Sequence, residues 1–162
     1  MHPALQALII CAAAAAAEGL LAGRGIRARF AELRQPPHSP SLTAWFVIGA
    51  GYYVICFVLL LRLLTSTLPS TAHRAAFFLL IALMATNAAW GWLFFRRKDL
   101  RASFLAFIPY SCIGAALAIV LLGIDRISAA ILAPYLLYLG YAMWWSHRLW
   151  SLNRQPSPII PE

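Results

Sequence analysis

Residues Leu42 to Leu64 read LTAWFVIGAGYYVICFVLLLRLL, an apolar stretch whose one charged residue, Arg62, stands near its end. A helix rises about 1.5 Å per residue, so roughly 20 apolar residues cross a hydrocarbon core about 30 Å thick. This stretch is long enough to cross, and it is one of five. The others run approximately from Ala4 to Gly23, Ala75 to Phe95, Ala102 to Gly123 and Ile127 to Leu152. Of the 162 residues, 62% are hydrophobic and 11% charged, and the mean hydropathy is +0.76. Short connectors make up nearly all the rest. That excludes a soluble domain and leaves no room for a separate catalytic or DNA-binding unit. The chain reads as all-α: an integral membrane bundle of five transmembrane helices forming a single domain over residues 1–154. A proline-containing tail, 155–162, is expected to be disordered.

The formal net charge is +8, and its placement argues against nucleic acid as a partner. Arg24, Arg27, Arg29 and Arg34 lie between the first and second runs, and Arg96, Arg97, Lys98 and Arg101 between the third and fourth. Arg148 and Arg154 lie at or beyond the end of the fifth. With five spans these regions share one side, which then carries ten of the thirteen basic residues, against Arg62, Arg74 and Arg126 on the other. The positive-inside rule therefore predicts an outside N-terminus and a cytoplasmic C-terminus, with anionic lipid headgroups as partners of the basic side.

The first run contains the alanine stretch Ala12 to Ala17, as a signal peptide can. Its arginines follow the run and do not precede it, so it reads as a span. Its small residues suit close helix packing in lipid, as do Ala85 and Ala89, four apart in the third run, which would let helices or two protomers approach. Cys11, Cys56 and Cys112 fall inside apolar runs with neither disulfide nor zinc spacing, and read as small hydrophobes. The loop Arg24 to Ser41 is long for so compact a chain, as a lid over a site would be, and its proline cluster Pro36 to Pro40 should be extended or turning as it delivers the chain into the next helix. The other connectors read as tight turns, and Pro134 should disturb the fifth helix.

Polar groups in lipid are costly, so each asks for an explanation. In the third run, Asn87, Trp90 and Phe94 recur at i, i+3 and i+7. In the fifth, Tyr135, Tyr138, Ala142 and Trp145 recur at i, i+3, i+7 and i+10. Each set occupies one side of its helix. Together they would line a site with aromatic walls, an amide and two phenols, suited to a large planar or steroid-like hydrophobe. Ordinary packing and an interfacial aromatic belt account equally well for the spacing, above all for Trp144, Trp145 and Trp150. Glu18, near the end of the first run, is expected to snorkel toward Arg24 or another loop arginine. No nucleophile motif and no paired metal spacing appears. His2, His38, His73 and His147 are scattered, with His38 and His147 alone placed where they could meet a haem iron.

These features resemble the TspO/MBR family, the tryptophan-rich sensory proteins that include the mitochondrial translocator protein, or peripheral-type benzodiazepine receptor. The third-helix pattern N-x-x-W-x-x-x-F-F is met in full by Asn87, Trp90, Phe94 and Phe95. The fifth keeps Pro134, Tyr135, Ala142, Trp150 and Asn153, the second keeps Tyr53 and Arg62, and the loop reads QPPHSPS from Gln35 to Ser41. The likeness runs from Phe30 to Asn153. At the family's tryptophans stand His38 in the loop, Gly49 in the second helix and Tyr138 in the fifth, and its L-N pair is Trp145-Ser146.

The resemblance implies a bundle, expected to be a homodimer, that holds a porphyrin- or haem-type tetrapyrrole, or a sterol or lipid, beneath the first loop for sensing or transfer. The implied contacts are Tyr53, Asn87, Trp90, Phe94, Tyr135, Tyr138, Ala142, Trp145 and Ser146, with Pro36, His38 and Pro40 in the lid and Arg27, Arg29 or Arg34 meeting propionates. No obligatory cofactor, metal or catalytic residue is expected. The family tryptophans have been implicated in light- and oxygen-dependent porphyrin breakdown, so Gly49 and Tyr138 argue against a porphyrin-degrading enzyme. A small transporter of lipid-like solutes and a structural subunit of a larger complex are the remaining rivals.

Overall fold

The structure is a computed structural model that describes residues 2–66 and 70–154; the tail expected to be disordered lies outside the described residues. Among the described residues every regular element is helical. α1 covers Pro3–Ala22, α2 Ile26–Glu32, α3 Leu42–Leu64 and α4 Thr71–Gly91, which continues into a π-helical turn at Trp92–Arg96. α5 covers Leu100–Leu105, α6 Phe107–Ile124 and α7 Arg126–Arg154. Five segments are long and apolar enough to cross a membrane: α1, α3, Thr71–Arg96, Leu100–Ile124 and α7. The five-helix membrane bundle read from the sequence is the fold observed.

The helix starts follow from local chemistry, because a first turn leaves N–H groups that a short polar side chain can satisfy. Ser41 Oγ accepts from Ala44 N at 3.2 Å, Ser70 Oγ from His73 N at 3.3 Å and Asp99 Oδ1 from Ala102 N at 2.9 Å. Asp125 Oδ1 accepts from Ile127 N at 3.1 Å and Ser128 N at 3.3 Å, so α7 begins directly after α6. Asp125 also receives Arg62 through both carboxylate oxygens, at 2.8 and 3.0 Å. That guanidinium, with help from Ser128, holds the Asp125 carboxyl well below the usual carboxylate range.

Several boundaries differ from the expectation. The first half of the first loop forms α2, an element not expected, while residues 36–40 are extended and turning as expected. The fourth run is not one helix but breaks at Ala106. Pro109 explains the break: it lacks the N–H that would bond Leu105 O, and its ring collides with that carbonyl. α7 runs through Pro134 as one helix. The basic connector after α4 opens with the π turn, in which Arg97 N reaches Trp92 O at 2.9 Å and Asp99 N reaches Leu93 O at 3.2 Å. Cys11 and Cys56 are buried, whereas Cys112 is exposed on the outside of the bundle.

The long helices form a ring in the order α1, α3, α7, α5–α6, α4, and α3 also reaches α4 across it. Lipid is as apolar as leucine, so association rests on close packing and on buried polar bonds. Gly114 marks a tight approach: a Cβ there would come within 2.9 Å of Leu136 Cδ2 and 3.7 Å of Leu83 Cδ1. Leu59, Leu80, Leu83, Leu117, Leu121 and Leu132 are fully buried and form the solid part of the core. Leu20, Val47, Phe78, Ile119 and Leu137 are largely exposed, the positions that face lipid.

Candidate functional site: an aromatic cavity beneath α2

Between α1, α3, α4 and α7, beneath α2, lies a cavity of about 350 Å³. Trp45 and Tyr53 of α3, Trp90 of α4 and Tyr138 of α7 supply its flat walls, and Ile26 and Phe30 of α2 its roof. Ala15 and Gly19 of α1 and Phe46 and Ala50 of α3 line it and are also exposed on the outside of the bundle. The cavity therefore opens sideways, between α1 and α3, toward lipid. A second void of about 30 Å³ continues inward, bordered by Phe107, Tyr110 and Ala142.

A chain of hydrogen bonds crosses the bundle along the inner side of the cavity. Tyr53 OH donates to Glu18 Oε2 at 2.7 Å, and Asn87 Nδ2 donates to the same oxygen at 2.9 Å. Asn87 Oδ1 accepts from Tyr110 OH at 3.1 Å, and Tyr110 OH is bonded to Tyr135 OH. Since the Tyr110 proton goes to Asn87, Tyr135 is the donor in the last bond. One network thus links α1, α3, α4, α6 and α7. The expectation that Glu18 snorkels to an arginine is corrected: its carboxyl turns inward, where Tyr53 and Asn87 supply donors. The indole N–H groups of Trp45 and Trp90 are buried without an acceptor among the described residues.

The roof is held by aromatic packing and by bonds to both ends of its loop. Phe30 lies 6.0 Å from Phe94, 6.1 Å from Phe95 and 6.3 Å from Trp145 by ring centroids. The π turn presents both Phe94 and Phe95 to this cluster. Arg29, almost fully buried, reaches over the Phe94 ring, donates to Lys98 O at 3.0 Å and pairs with Glu32 at 3.5 Å. Asn153 clamps the loop backbone, accepting from Arg34 N at 3.0 Å and donating to Arg34 O at 3.1 Å. Next comes a turn closed by Ser39 N to Pro36 O at 3.3 Å, in which His38 takes φ +62° after Pro37. That is the pattern of a type II turn. Trp145 Nε1 donates to Ser39 Oγ at 2.8 Å and pins it to α7.

Of the residues singled out from the sequence, Tyr53, Asn87, Trp90, Tyr135, Tyr138 and Trp145 border the cavity. Ala142 borders the smaller void alone. Phe94 is fully buried under Phe30 and borders neither space, and buried Ser146 does not border them either. Pro36 and His38 lie in the turn that Tyr141 and Trp145 tie to α7, and none of Pro36, His38 and Pro40 borders the cavity, which α2 roofs. Arg29 is committed within the lid. Neither His38 nor His147 borders the cavity; the His147 ring lies 5.0 Å from Phe104.

Sequence reasoning missed Trp45, which stands one turn before Gly49 on the same face of α3 and puts a tryptophan back in the wall. Helical spacing alone was enough to find it. It also missed Phe30 and the role of Tyr110, which depends on two helices distant in sequence.

No curated protein matches this chain at the level that would make it a relative. The model of the TspO/MBR family matches residues 7–151, nearly the whole sequence. With that match and the five-helix bundle in hand, the chain belongs to the TspO/MBR family and is an integral membrane protein of the TspO type.

Proposed function

We propose that this protein binds a flat hydrophobic molecule in the cavity beneath α2 and either reports its presence or hands it on. The observation that carries the reading is the cavity itself: about 350 Å³, within the range of small-molecule sites, with indole and phenol walls. Its sideways mouth supports exchange of ligand with the bilayer. The buried leucines of the other half of the bundle support lateral exchange over a path through the membrane. A porphyrin-type tetrapyrrole is the ligand class favoured by family membership, with a sterol or lipid of similar breadth as the alternative. Among the described residues no His, Cys or Met borders the cavity, which favours a metal-free macrocycle over haem. The excess of basic residues at the lid end supports a cytoplasmic lid end and C-terminus, with the N-terminus outside. Ala85 and Ala89 are both exposed on α4, which supports a second copy packing there as a homodimer.

The test is a titration of the detergent-purified protein with protoporphyrin IX and with haemin, following tryptophan quenching and the Soret band. Saturable binding that Trp90→Ala weakens, with folded yield unchanged, supports the reading. No saturable binding to either macrocycle rejects the tetrapyrrole and sends the search to sterols and lipids.

A further inference from the structure

Glu18 is a cavity residue that the reading above leaves unused. Its Oε2 takes two hydrogen bonds, from Tyr53 OH and Asn87 Nδ2, both neutral donors. The ion pairs among the described residues are Arg29–Glu32, Lys98–Glu32 and Arg62–Asp125, so no cation answers the Glu18 carboxylate. The network does not need that charge. A glutamine oxygen would accept the same two bonds without the cost of an unmatched anion in a low-dielectric site. Tyr110 OH bonds Asn87 Oδ1, which leaves Nδ2 toward the carboxyl.

The surroundings carry the same sign. Trp45, Tyr53, Trp90 and Tyr138 present aromatic rings to the cavity, and ring faces are negative. The basic side chains of the lid end are elsewhere: Arg24 and Arg27 are exposed, and Arg29 is taken up by Lys98 O and Glu32. We infer that the cavity selects flat hydrophobic ligands bearing a positive charge, an aromatic amine being the simplest, with the Glu18 carboxylate as counter-charge and the rings as a cation-accepting wall. This rests on the cavity being a ligand site. A metal-free tetrapyrrole, neutral in its core and anionic at its propionates, gains nothing from the Glu18 carboxylate and falls outside this preference.

Three probes of one shape and different charge separate the two ideas: 1-naphthylmethylamine, 1-naphthylmethanol and 1-naphthylacetate. Each is titrated into the full chain in neutral detergent, with binding read by calorimetry. The amine should bind about tenfold or more tighter than the alcohol, and the carboxylate weakest. Glu18→Gln, which keeps both hydrogen bonds, should bring the amine to the level of the alcohol and leave the alcohol unchanged. If that variant does not fold, the order of the three probes on the unmodified chain decides, with Glu18→Asp as the second variant, expected to fall between. Equal binding of amine and alcohol overturns cation selection and leaves the cavity reading standing. An amine preference that survives Glu18→Gln overturns the role of Glu18. Failure of all three probes to bind overturns this inference, and the cavity reading then stands or falls on the macrocycle titration.

Discussion

Replacing Tyr110 with phenylalanine removes a single oxygen from the middle of the bundle and leaves the ring in place. Tyr110 is 2% exposed; its hydroxyl donates to Asn87 Oδ1 at 3.1 Å and accepts from Tyr135 OH. The substitution therefore strands one acceptor on α4 and one donor on α7. Hydrogen bonds between membrane helices are worth about 0.6 kcal/mol on average and about 1.7 at most. Stranding buried partners costs about 1–3 kcal/mol in general. Two such bonds place the expected loss at about 1–3 kcal/mol. Tyr135→Phe removes only the second bond and should cost about half as much. The two losses should not add, because once the Tyr135 hydroxyl is gone Tyr110→Phe strands nothing on α7. Equilibrium unfolding in mixed detergent and SDS, followed by tryptophan fluorescence, measures all four corners of the cycle. A coupling of about 0.5 kcal/mol or more is expected. Additivity within about 0.3 kcal/mol would refute the shared bond, since independent sites behave that way.

Asn153→Ala should loosen the backbone at Arg34, raising hydrogen exchange across residues 24–41 with a small loss of stability, about 1 kcal/mol; unchanged exchange would mean that the lid is held without the Asn153 clamp. Gly19→Phe places a ring at the cavity mouth where an added Cβ meets nothing within 4 Å, so it should slow ligand capture from the bilayer while leaving stability near that of the unmodified chain. Stopped-flow quenching reads that rate, and an unaltered rate would move the entrance away from the gap between α1 and α3. Asp125 bears on pH dependence. Its carboxyl is depressed in the folded state by Arg62, so its contribution is fully present above about pH 4 and declines as pH falls below that. Asp125→Asn should be less stable at pH 7 and should lose less than the unmodified chain between pH 5 and pH 3. Parallel acid losses in the two proteins would show that the pair does not control that range.

Span number and approximate span ends were legible because length and hydropathy are local properties that the bilayer reads directly. Asn87, Trp90, Tyr135, Tyr138 and Trp145 were legible as inward-facing residues because a polar or aromatic face on a lipid-embedded helix has few places to go but inward. Phe94 and Ser146 share that face and yet border neither space. Inward is a direction, and whether it ends in a cavity or under a phenylalanine depends on the neighbouring helix. The π turn after Gly91 sets which side chains face the lid, and the break at Ala106 divides the fourth span. Pro109 announced the second by its chemistry, while nothing in Trp92–Arg96 announced the first.

Composition by itself determined the solvent, the helix count and the segregation of basic residues, because each sums over short stretches of chain and needs no partner. The tertiary structure alone decided that Glu18 turns inward, that Trp45 stands in the cavity wall one turn from Gly49, and that Tyr110 joins Asn87 to Tyr135. Those outcomes depend on helices far apart in sequence coming within hydrogen-bonding distance. Periodicity on a lipid-embedded helix tells which face turns inward and carries little information about which face it meets.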